Sequence, residues 1–236
     1  MFVRWRSGPV SQLGYHSGMS LTAIERAKRI KIILFDVDGV LTNGGIWLFP
    51  APAPSSAATA DQISRMENKG GYAISSANMV EAKGFNAHDG AGISLARLGG
   101  MKCGIITKRI SETVAIRARD LRLEFVYQGQ AHKLNAVNEI IYREGVKLED
   151  VAYVGDDVID LPVMRVCGLA IAVANAREPV KAAAHYITPH SGGEGAGRDA
   201  IEFILSAKGL LESVIEEYID ERSAAAAAAD IGTGGM

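Results

Sequence analysis

Five short apolar runs alternate along this chain with segments long enough to form a helix. The apolar runs cover residues 30–35, 103–106, 125–127, 151–154 and 169–173. Uninterrupted apolar runs of this length are typical of strands that are buried on both faces, as in a parallel sheet. The segments between them, at residues 92–98, 111–123, 133–144 and 160–166, supply the crossover helices that parallel strands require. The sequence therefore predicts an α/β fold with a doubly wound, mostly parallel sheet.

One more helix is predicted after the last strand, from residue 198 to about residue 221. Leu211, Val214, Ile215 and Tyr218 follow the i, i+3, i+4, i+7 spacing of a single helix face. We expect this face to pack against the sheet or against a neighbouring subunit.

Charge and apolar content exclude several classes of protein. The 236 residues include 25 basic and 27 acidic side chains, a formal net charge of −2, so neither nucleic acid nor an anionic membrane is an expected partner. The N-terminal residues lack the apolar core of a secretory signal, and no run of about 18 apolar residues exists. The protein is therefore predicted to be cytoplasmic.

The two cysteines, Cys103 and Cys167, have no metal-binding spacing and are predicted to be small buried side chains.

Three segments lie outside the repeating pattern. Residues 1–22 are predicted to be a disordered leader, and Met19 is an alternative start. Residues 50–79 open with alternating proline and alanine and are predicted to be a surface insertion, either a disordered loop or a segment that reshapes subunit contacts. Residues 214–236 are predicted to be the end of the last helix and a disordered tail. The remaining residues, 23–213, form a single predicted domain.

Polar residues collect at the predicted strand ends, which meet at one edge of a parallel sheet. They are Asp36 and Asp38 after the first run, Thr107 after the second, Lys133 just beyond the third, and Asp156 and Asp157 after the fourth. Four carboxylates against one lysine are costly unless a cation enters or a carboxyl group is protonated. Oxygen ligands without His or Cys favour Mg²⁺ over zinc.

This set of residues suits phosphoryl transfer through a carboxylate. Asp36 is the predicted nucleophile and would form an aspartyl-phosphate, while Thr107 and Lys133 would hold the phosphate oxygens. Asp38, redirected by the turn at Gly39, is predicted to protonate the leaving alkoxide and then to activate water. The sequence predicts a Mg²⁺-dependent hydrolase.

The order and spacing of these motifs resemble the haloacid dehalogenase-like superfamily. More specifically, residues 28–212 resemble the 3-deoxy-D-manno-octulosonate 8-phosphate phosphatases, capless tetramers that remove phosphate from an eight-carbon sugar acid. The passages that carry the resemblance are Phe-Asp-Val-Asp-Gly-Val-Leu-Thr at 35–42, Lys-Gly-Phe-Asn-Ala-His-Asp-Gly at 83–90, Tyr-Gln-Gly-Gln at 127–130, Gly-Asp-Asp-Val-Ile-Asp-Leu-Pro-Val-Met at 155–164 and Gly-Gly-Glu-Gly-Ala-Gly-Arg at 192–198. About 25 residues separate Thr107 from Lys133, too few for a cap domain there, and no large cap is expected elsewhere.

The resemblance implies a set of ligands and partners. Asp36 and Asp156 would bind Mg²⁺ by their side chains, and Asp38 would bind it by its backbone carbonyl. Implied substrate contacts are Asp38, Asn86, Ala87, His88, Asp89, Gly90, Arg109, Arg117 and Lys133. The family also implies lipopolysaccharide biosynthesis and a homotetramer with shared active sites. A β-hairpin after the first motif, with strands at 45–49 and 80–85, would reach into the adjoining subunit.

Four positions depart from the family's usual pattern. His88, Ser94 and Glu194 occupy positions where the family usually or often has arginine, and Lys108 occupies that of a glycine. A sugar carboxylate is held best by a bidentate guanidinium. These departures keep open a phosphatase for another sugar phosphate, such as a nine-carbon acylneuraminate 9-phosphate.

Several residue assignments have alternatives. Arg109 and Arg117, eight residues apart, are predicted to face the site together, although a solvated Arg117 fits the spacing nearly as well. His88 is either an anion contact or a surface residue, and His132 is predicted to be exposed at a helix start. Asp160 is predicted to cap the helix that begins at Leu161, and the alternative is an acid that supports the site.

Two other functional classes share part of this residue set. A phosphoacceptor domain of the receiver type also uses aspartates, a threonine, a lysine and Mg²⁺. In such a domain the acidic pair comes first and the phosphorylated aspartate lies on a middle strand, whereas here Asp-Val-Asp-Gly comes first and Gly-Asp-Asp comes late. An inactive assembly protein would not need to keep Asp36, Asp38, Lys133 and Asp156. Both are weaker interpretations than a phosphatase.

Overall fold

A parallel sheet forms the centre of the computed structural model, which describes residues 21–50, 62–65, 72–75 and 79–220. The strands are β1 (Ile32–Phe35), β2 (Trp47–Pro50), β3 (Gln62–Arg65), β4 (Tyr72–Ser75), β5 (Met79–Ala82), β6 (Lys102–Ile106), β7 (Arg109–Ile110), β8 (Phe125–Tyr127), β9 (Val151–Gly155), β10 (Leu169–Ala172) and β11 (Tyr186–Ile187). The central sheet has the order β11-β10-β9-β1-β6-β8, with every pair parallel. The five strands expected from the apolar runs are all in it, so the predicted α/β fold is confirmed.

Helices cover both faces of this sheet. They are α1 (Ala23–Ala27), α2 (Ala87–Leu98), α3 (Glu112–Asp120), α4 (Lys133–Glu144), α5 (Leu161–Met164), α6 (Glu178–Ala183), α7 (Ala196–Ala207) and α8 (Leu211–Ile219), with 3₁₀ turns at Leu148–Asp150 and Val158–Asp160. Every residue of β1, β9 and β10 is buried, as expected of strands without polar interruptions. None of the helices in the described part of the chain is long and apolar enough to cross a membrane.

Side chains and glycines at the helix ends explain where several helices start and stop. The side chains of Asn86 and Ser111 accept hydrogen bonds from backbone amides in the first turns of α2 and α3, which is the usual way to begin a helix. Helix α4 ends at Gly145, whose φ of 63° reverses the chain. Helix α2 begins five residues earlier than predicted, because Asn86 caps it.

The prediction of a single last helix is wrong. Helices α7 and α8 are separated at Gly209, which has a φ of 70°, a conformation that ends a helix and favours glycine. Val214 is buried, and Leu211 and Ile215 pack against the core, whereas Tyr218 is 43% exposed. The predicted apolar face therefore packs against the domain through a shorter helix.

The predicted β-hairpin after the first motif is confirmed. Strands β2 and β5 pair antiparallel, from Trp47 opposite Ala82 to Pro50 opposite Met79. Its apolar side chains are turned outward, with Trp47, Leu48, Phe49 and Val80 between 45% and 60% exposed. The hairpin therefore presents an apolar surface to its surroundings.

Part of the predicted insertion forms strands. Strand β3 pairs antiparallel with β4, and β4 pairs parallel with β7, so the insertion is linked to the segment that follows Thr107. Residues 1–20 of the predicted leader (1–22), residues 221–236 of the predicted tail (214–236) and the rest of the insertion lie outside the described residues, whereas Thr22 caps α1.

Candidate active site

The loop after β1 places Asp36 at the carboxyl edge of the sheet. The backbone amides of Val40, Leu41 and Thr42 all donate to the carbonyl of Val37, which folds the loop tightly back on itself. Gly39 has a φ of 97°, and a Cβ at this position would lie 2.2 Å from Asp156 Oδ2. A glycine is therefore required where this loop meets the loop after β9.

Lys133, the first residue of α4, forms a buried ion pair with Asp36. Its Nζ lies 2.8 Å from Asp36 Oδ2 and 2.7 Å from Asp160 Oδ1, and its side chain is 1% exposed. Burial favours the neutral amine, but the two carboxylates outweigh it and raise the pKa of Lys133 above its ordinary value. Lys133 therefore carries its positive charge next to the predicted nucleophile.

Asp160 supports the site from behind and does not cap α5. Its side chain makes no capping hydrogen bond to that helix. It accepts instead from Lys133, from the Tyr153 hydroxyl at 2.8 Å, and from the backbone amides of Asp156 and Asp157. Asp160 therefore holds the predicted N-cap position, but its side chain does not cap the helix and instead supports the site, as the alternative had it.

Three carboxylates meet at this edge of the sheet. Asp36, Asp156 and Asp160 each place an oxygen within 4.8 Å of the others. Burial, together with the charges of Asp36 and Asp160, raises the pKa of Asp156 to about 7. Burial likewise raises the pKa of Asp36 to about 6, even though Lys133 opposes the shift. Such a cluster is unfavourable without an added cation.

The donor set fits a hard divalent cation. Asp156 Oδ1 is buried and has no hydrogen-bond partner among the described residues, and carboxylate oxygens are the ligands that Mg²⁺ prefers. Asp157, which the sequence placed in this cluster, is exposed and accepts instead from the Val158 amide, at the start of the 3₁₀ turn. Its predicted place in the cluster is wrong.

Two cations lie beside the Asp38 carboxylate. Lys83 Nζ donates to Asp38 Oδ1, and Arg109 Nε lies 3.8 Å from Asp38 Oδ2. Arg109 also pairs with Glu81, which accepts a hydrogen bond from the Ser111 hydroxyl at 2.6 Å. Burial alone would raise the pKa of Glu81, but the hydrogen bonds from Ser111 and Arg109 outweigh burial and hold this pKa below its ordinary value.

Thr107 directly follows β6, the neighbour of β1. It is buried, its amide donates to the Tyr127 carbonyl, and its carbonyl accepts from the Gln130 amide. The predicted phosphate-binding threonine therefore lies at the same edge of the sheet as Asp36.

The predicted substrate contacts at 86–90 form the start of α2. Asn86 Nδ2 donates to the Gly193 carbonyl, and Asp89 accepts from the Arg198 amide, at the start of α7. Burial raises the pKa of Asp89 to about 6. These two side chains connect α2 to the passage at 192–198, whereas Ala87 and His88 are exposed.

Arg117, a residue of α3, packs against the start of α2. Its guanidinium lies 5.9 Å from the centre of the Phe85 ring, pairs with Asp120, and occupies the space that a Cβ on Gly90 would need. The fully solvated alternative for Arg117 is therefore wrong. Arg109 and Arg117 lie on different elements, since Arg109 belongs to β7 and Arg117 to α3.

Sequence reasoning missed three side chains of this site. Glu81 and Lys83 come from the hairpin, and Tyr153 comes from inside β9. Lys83 opens one of the passages that carried the resemblance, but a single lysine beside a strand is usually solvated. The spacing of Glu81 in β5 and Lys83 just after it, two residues apart as on one face of an extended chain, is the only local signal that could have found them.

The fold and the site define the chain as a haloacid dehalogenase-like hydrolase, and the sequence pattern of that family matches residues 104–197. The 3-deoxy-D-manno-octulosonate 8-phosphate phosphatase KdsC of Escherichia coli strain K12 is 36% identical over 194 residues, which cover 82% of this chain and 89% of that protein. The chain belongs to the 3-deoxy-D-manno-octulosonate 8-phosphate phosphatase family, as the resemblance predicted.

Solved structures of the family agree with this fold. The phosphatase from Yersinia pestis has a TM-score of 0.66 at 36% identity, covering 80% of this chain and 88% of that chain. The phosphatase from Moraxella catarrhalis was solved with a magnesium ion, a phosphate ion and a KDO molecule. It has a TM-score of 0.67 at 32% identity, covering 83% of this chain and 97% of that chain. The receiver-type and inactive-assembly interpretations are set aside by this membership and by the site.

Proposed function

We propose that this protein is a Mg²⁺-dependent phosphatase that hydrolyses 3-deoxy-D-manno-octulosonate 8-phosphate to the free sugar acid and phosphate. The observation that carries the proposal is the Asp36 carboxylate at the edge of the sheet, paired with the buried Lys133 and close to Asp156. The 36% identity to a phosphatase of this specificity, over most of both chains, supports the substrate.

Asp36 and Asp156 would hold the Mg²⁺ by their side chains, together with the backbone carbonyl of Asp38. Asp160 is less suited to bind it, since its two oxygens already accept four hydrogen bonds. The unpartnered Asp156 Oδ1 is the oxygen most in need of a cation. When bound, the ion neutralises part of the negative charge, so that a phosphate can approach the Asp36 carboxylate.

Asp36 would act as the nucleophile of the first step. Its oxygen forms a bond to phosphorus as the bond between phosphorus and the sugar oxygen breaks, and Asp38 supplies a proton to that leaving oxygen. Lys133 and Thr107 would hold the phosphate oxygens, with Lys133 remaining protonated throughout.

Water completes the reaction in a second step. A water oxygen attacks the aspartyl-phosphate while Asp38 accepts a proton from it. The bond between phosphorus and Asp36 breaks, and inorganic phosphate and a free Asp36 carboxylate result. The same Asp38 therefore serves first as an acid and then as a base.

The sugar acid would contact the start of α2 and the two arginines. Arg109 is the best-placed of these residues, because it lies beside Asp38. Asn86, Ala87, His88, Asp89, Gly90, Arg117 and Lys133 complete the proposed substrate contacts.

A nine-carbon acylneuraminate 9-phosphate is the second candidate substrate. His88 and Glu194, two of the positions that depart from the family's arginines, line the same open depression, together with His190 and Arg198. A clustered change of charge would alter how a sugar carboxylate is recognised, whereas the residues around Asp36 would still carry out phosphoryl transfer.

The exposed apolar hairpin supports a homotetramer with shared active sites. Trp47 and Phe49 lie on one face of β2 and are each more than half exposed, and exposed apolar side chains that lie together mark interfaces between proteins. We propose a cytoplasmic assembly that acts in lipopolysaccharide biosynthesis.

A phosphate-release screen with Mg²⁺ tests the substrate. It compares the eight-carbon acid phosphate with nine-carbon acid phosphates and neutral sugar phosphates, and we expect the highest kcat/KM for the eight-carbon acid. Asp36→Asn should abolish turnover. The control is Asp150→Asn, which removes an aspartate that pairs with Lys31 away from the site and should leave turnover unchanged. Equal rates across all sugars would contradict the substrate, and wild-type turnover by Asp36→Asn would contradict the nucleophile.

A further inference from the structure

The hairpin strand β5 contributes a buried cation to the active site. Lys83 follows β5 directly, and its side chain is 0% exposed. An ammonium group removed from water to this extent is costly unless carboxylates compensate it. Among the described residues its ion pairs are with Asp38, by a short hydrogen bond, and with Glu81 at 4.0 Å.

Each aspartate of the Asp-Val-Asp motif has its own buried lysine. Lys133 pairs with Asp36 and with Asp160, at the start of α4. Lys83 pairs with Asp38 and comes from a different element, the end of the hairpin. The two lysines therefore act on different groups of the reaction.

The carboxyl group of Asp38 has a cation beside each oxygen, and only Oδ1 accepts a hydrogen bond from its cation. Lys83 donates to Oδ1, and Arg109 faces Oδ2 at 3.8 Å. Two cations on two different elements leave this carboxyl group little freedom to rotate, and proton transfer requires such a fixed geometry.

Glu81 anchors this arrangement to the rest of the domain. Its side chain accepts from Ser111 and pairs with Arg109, and its backbone carbonyl accepts from the Thr113 hydroxyl at 3.0 Å. Because Glu81 and Lys83 lie two residues apart, both point from the same face of the hairpin toward the loop after β1. The hairpin is therefore attached to the site as well as exposed to its surroundings.

We propose that Lys83 is a positioning residue that orients Asp38 for both proton transfers of the reaction, an inference that rests on the role of Asp38 in the proposed function. Loss of Lys83 should slow the steps that need Asp38 and leave attack by Asp36 intact.

Two substrates separate these steps. Sugar-phosphate hydrolysis needs a proton on the leaving oxygen, whereas p-nitrophenyl phosphate has a leaving group that departs without one. With p-nitrophenyl phosphate, attack by Asp36 appears as a rapid burst of nitrophenolate, and hydrolysis of the aspartyl-phosphate limits later turnovers.

Lys83→Met is therefore compared with wild type, with Asp38→Asn and with Lys102→Met. Lys102 begins β6, at the end of that strand away from Thr107, and pairs with Glu144. Its variant therefore controls for the loss of an ion pair outside the site. For Lys83→Met we expect kcat on the sugar phosphate to fall roughly 10- to 100-fold with KM nearly unchanged. The nitrophenolate burst should remain at about one equivalent per site and be followed by slow turnover, as for Asp38→Asn.

Other outcomes would overturn the assignment. A wild-type kcat on the sugar phosphate would show that Asp38 does not depend on Lys83. Loss of the burst in a folded Lys83→Met protein would show a structural role only. Urea unfolding checks the fold. If Lys83→Met does not fold, Lys83→Gln takes its place, with the same criteria.

The wild type separates this inference from the proposed substrate. A wild-type enzyme that shows a burst but rejects the eight-carbon acid would contradict the proposed substrate alone, and the comparison then uses the sugar phosphate that it accepts. If attack by Asp36 is the slower step, wild type shows no burst, and Lys83→Met should then keep the wild-type rate of nitrophenolate release; a fall in that rate would overturn the assignment.

Discussion

At the scale of single residues, burial decides which carboxylates of this protein are costly to ionise. Asp89 is 3% exposed and accepts from the Arg198 amide, yet its Oδ2 is buried without a partner among the described residues. Its pKa is therefore raised from 3.8 to about 6 by burial. Since the folded state binds the proton more tightly than the unfolded state, this group stabilises the fold at low pH, and the contribution is lost as pH rises through about 6.

Asp89→Asn should remove this dependence on pH. Asn keeps an oxygen for the Arg198 amide but does not ionise. Between pH 4.5 and pH 7, the free energy of unfolding of wild type relative to the variant should fall by about 2 kcal/mol. Urea unfolding at the two pH values measures the difference, and the other carboxylates largely cancel because both proteins contain them. Parallel changes in the two proteins would contradict the assignment.

Residue types predicted which side chains meet at the edge of the sheet better than they predicted the partners of those side chains. Asp36, Lys133 and Asp156 could be placed together because polar residues that follow parallel strands meet at one edge of the sheet. Asp160 was misread because local sequence favours an N-cap before Leu161-Pro162, whereas in the fold a hydrogen bond from Tyr153 and the charge of Lys133 turn the side chain inward. Lys83 was missed because its burial depends on the hairpin folding back against the loop after β1, which no local pattern records.

At the scale of secondary-structure elements, apolar runs predicted the central strands well and a helix break poorly. A strand that is buried on both faces has an uninterrupted apolar run, which is visible locally. The break between α7 and α8 depends on one backbone angle at Gly209, and a single glycine within an apolar periodicity is also tolerated inside helices.

Gly209→Ala tests how much that break contributes to stability. No atom of the described residues lies within 4 Å of a Cβ built at this position, so we attribute the cost to the φ of 70°. We expect the free energy of unfolding to fall by about 1–2 kcal/mol in urea denaturation.

Gly84→Ala is the matched control for this substitution. A Cβ there also meets no atom within 4 Å in the part of the chain that the structure describes, but Gly84 does not have a positive φ. The control should be neutral or slightly stabilising, because alanine restricts the unfolded chain. Equal losses in the two variants would show that backbone strain is not the cause.

At the scale of the whole molecule, the hairpin links the proposed assembly to the site. Strand β2 carries the exposed aromatic side chains of Trp47 and Phe49, while Glu81, opposite Leu48 on β5, and Lys83, just after β5, form ion pairs of the site. Contacts between subunits at these aromatic side chains would therefore limit the movement of the strand that orients Asp38.

Replacing Trp47 and Phe49 by aspartate should dissociate the proposed tetramer. Each aromatic side chain is more than half exposed, and burying one at an interface contributes about 2 kcal/mol. Light scattering coupled to size-exclusion chromatography should show smaller species. Tyr142→Asp, at a 91% exposed position on α4, is the control and should leave the mass unchanged. An unchanged mass for the double variant would place the interface elsewhere.

The central position of β1 also has a consequence for synthesis of the chain. Strand β1 and Asp36 are made early, but the parallel partner β9 ends at Gly155, about 120 residues later. At about 5–20 residues per second, the ribosome needs roughly 6–24 s to add these residues. The apolar strand that leads to the nucleophile therefore remains uncovered on one edge for that time in the nascent protein, a period in which chaperones would be expected to bind it.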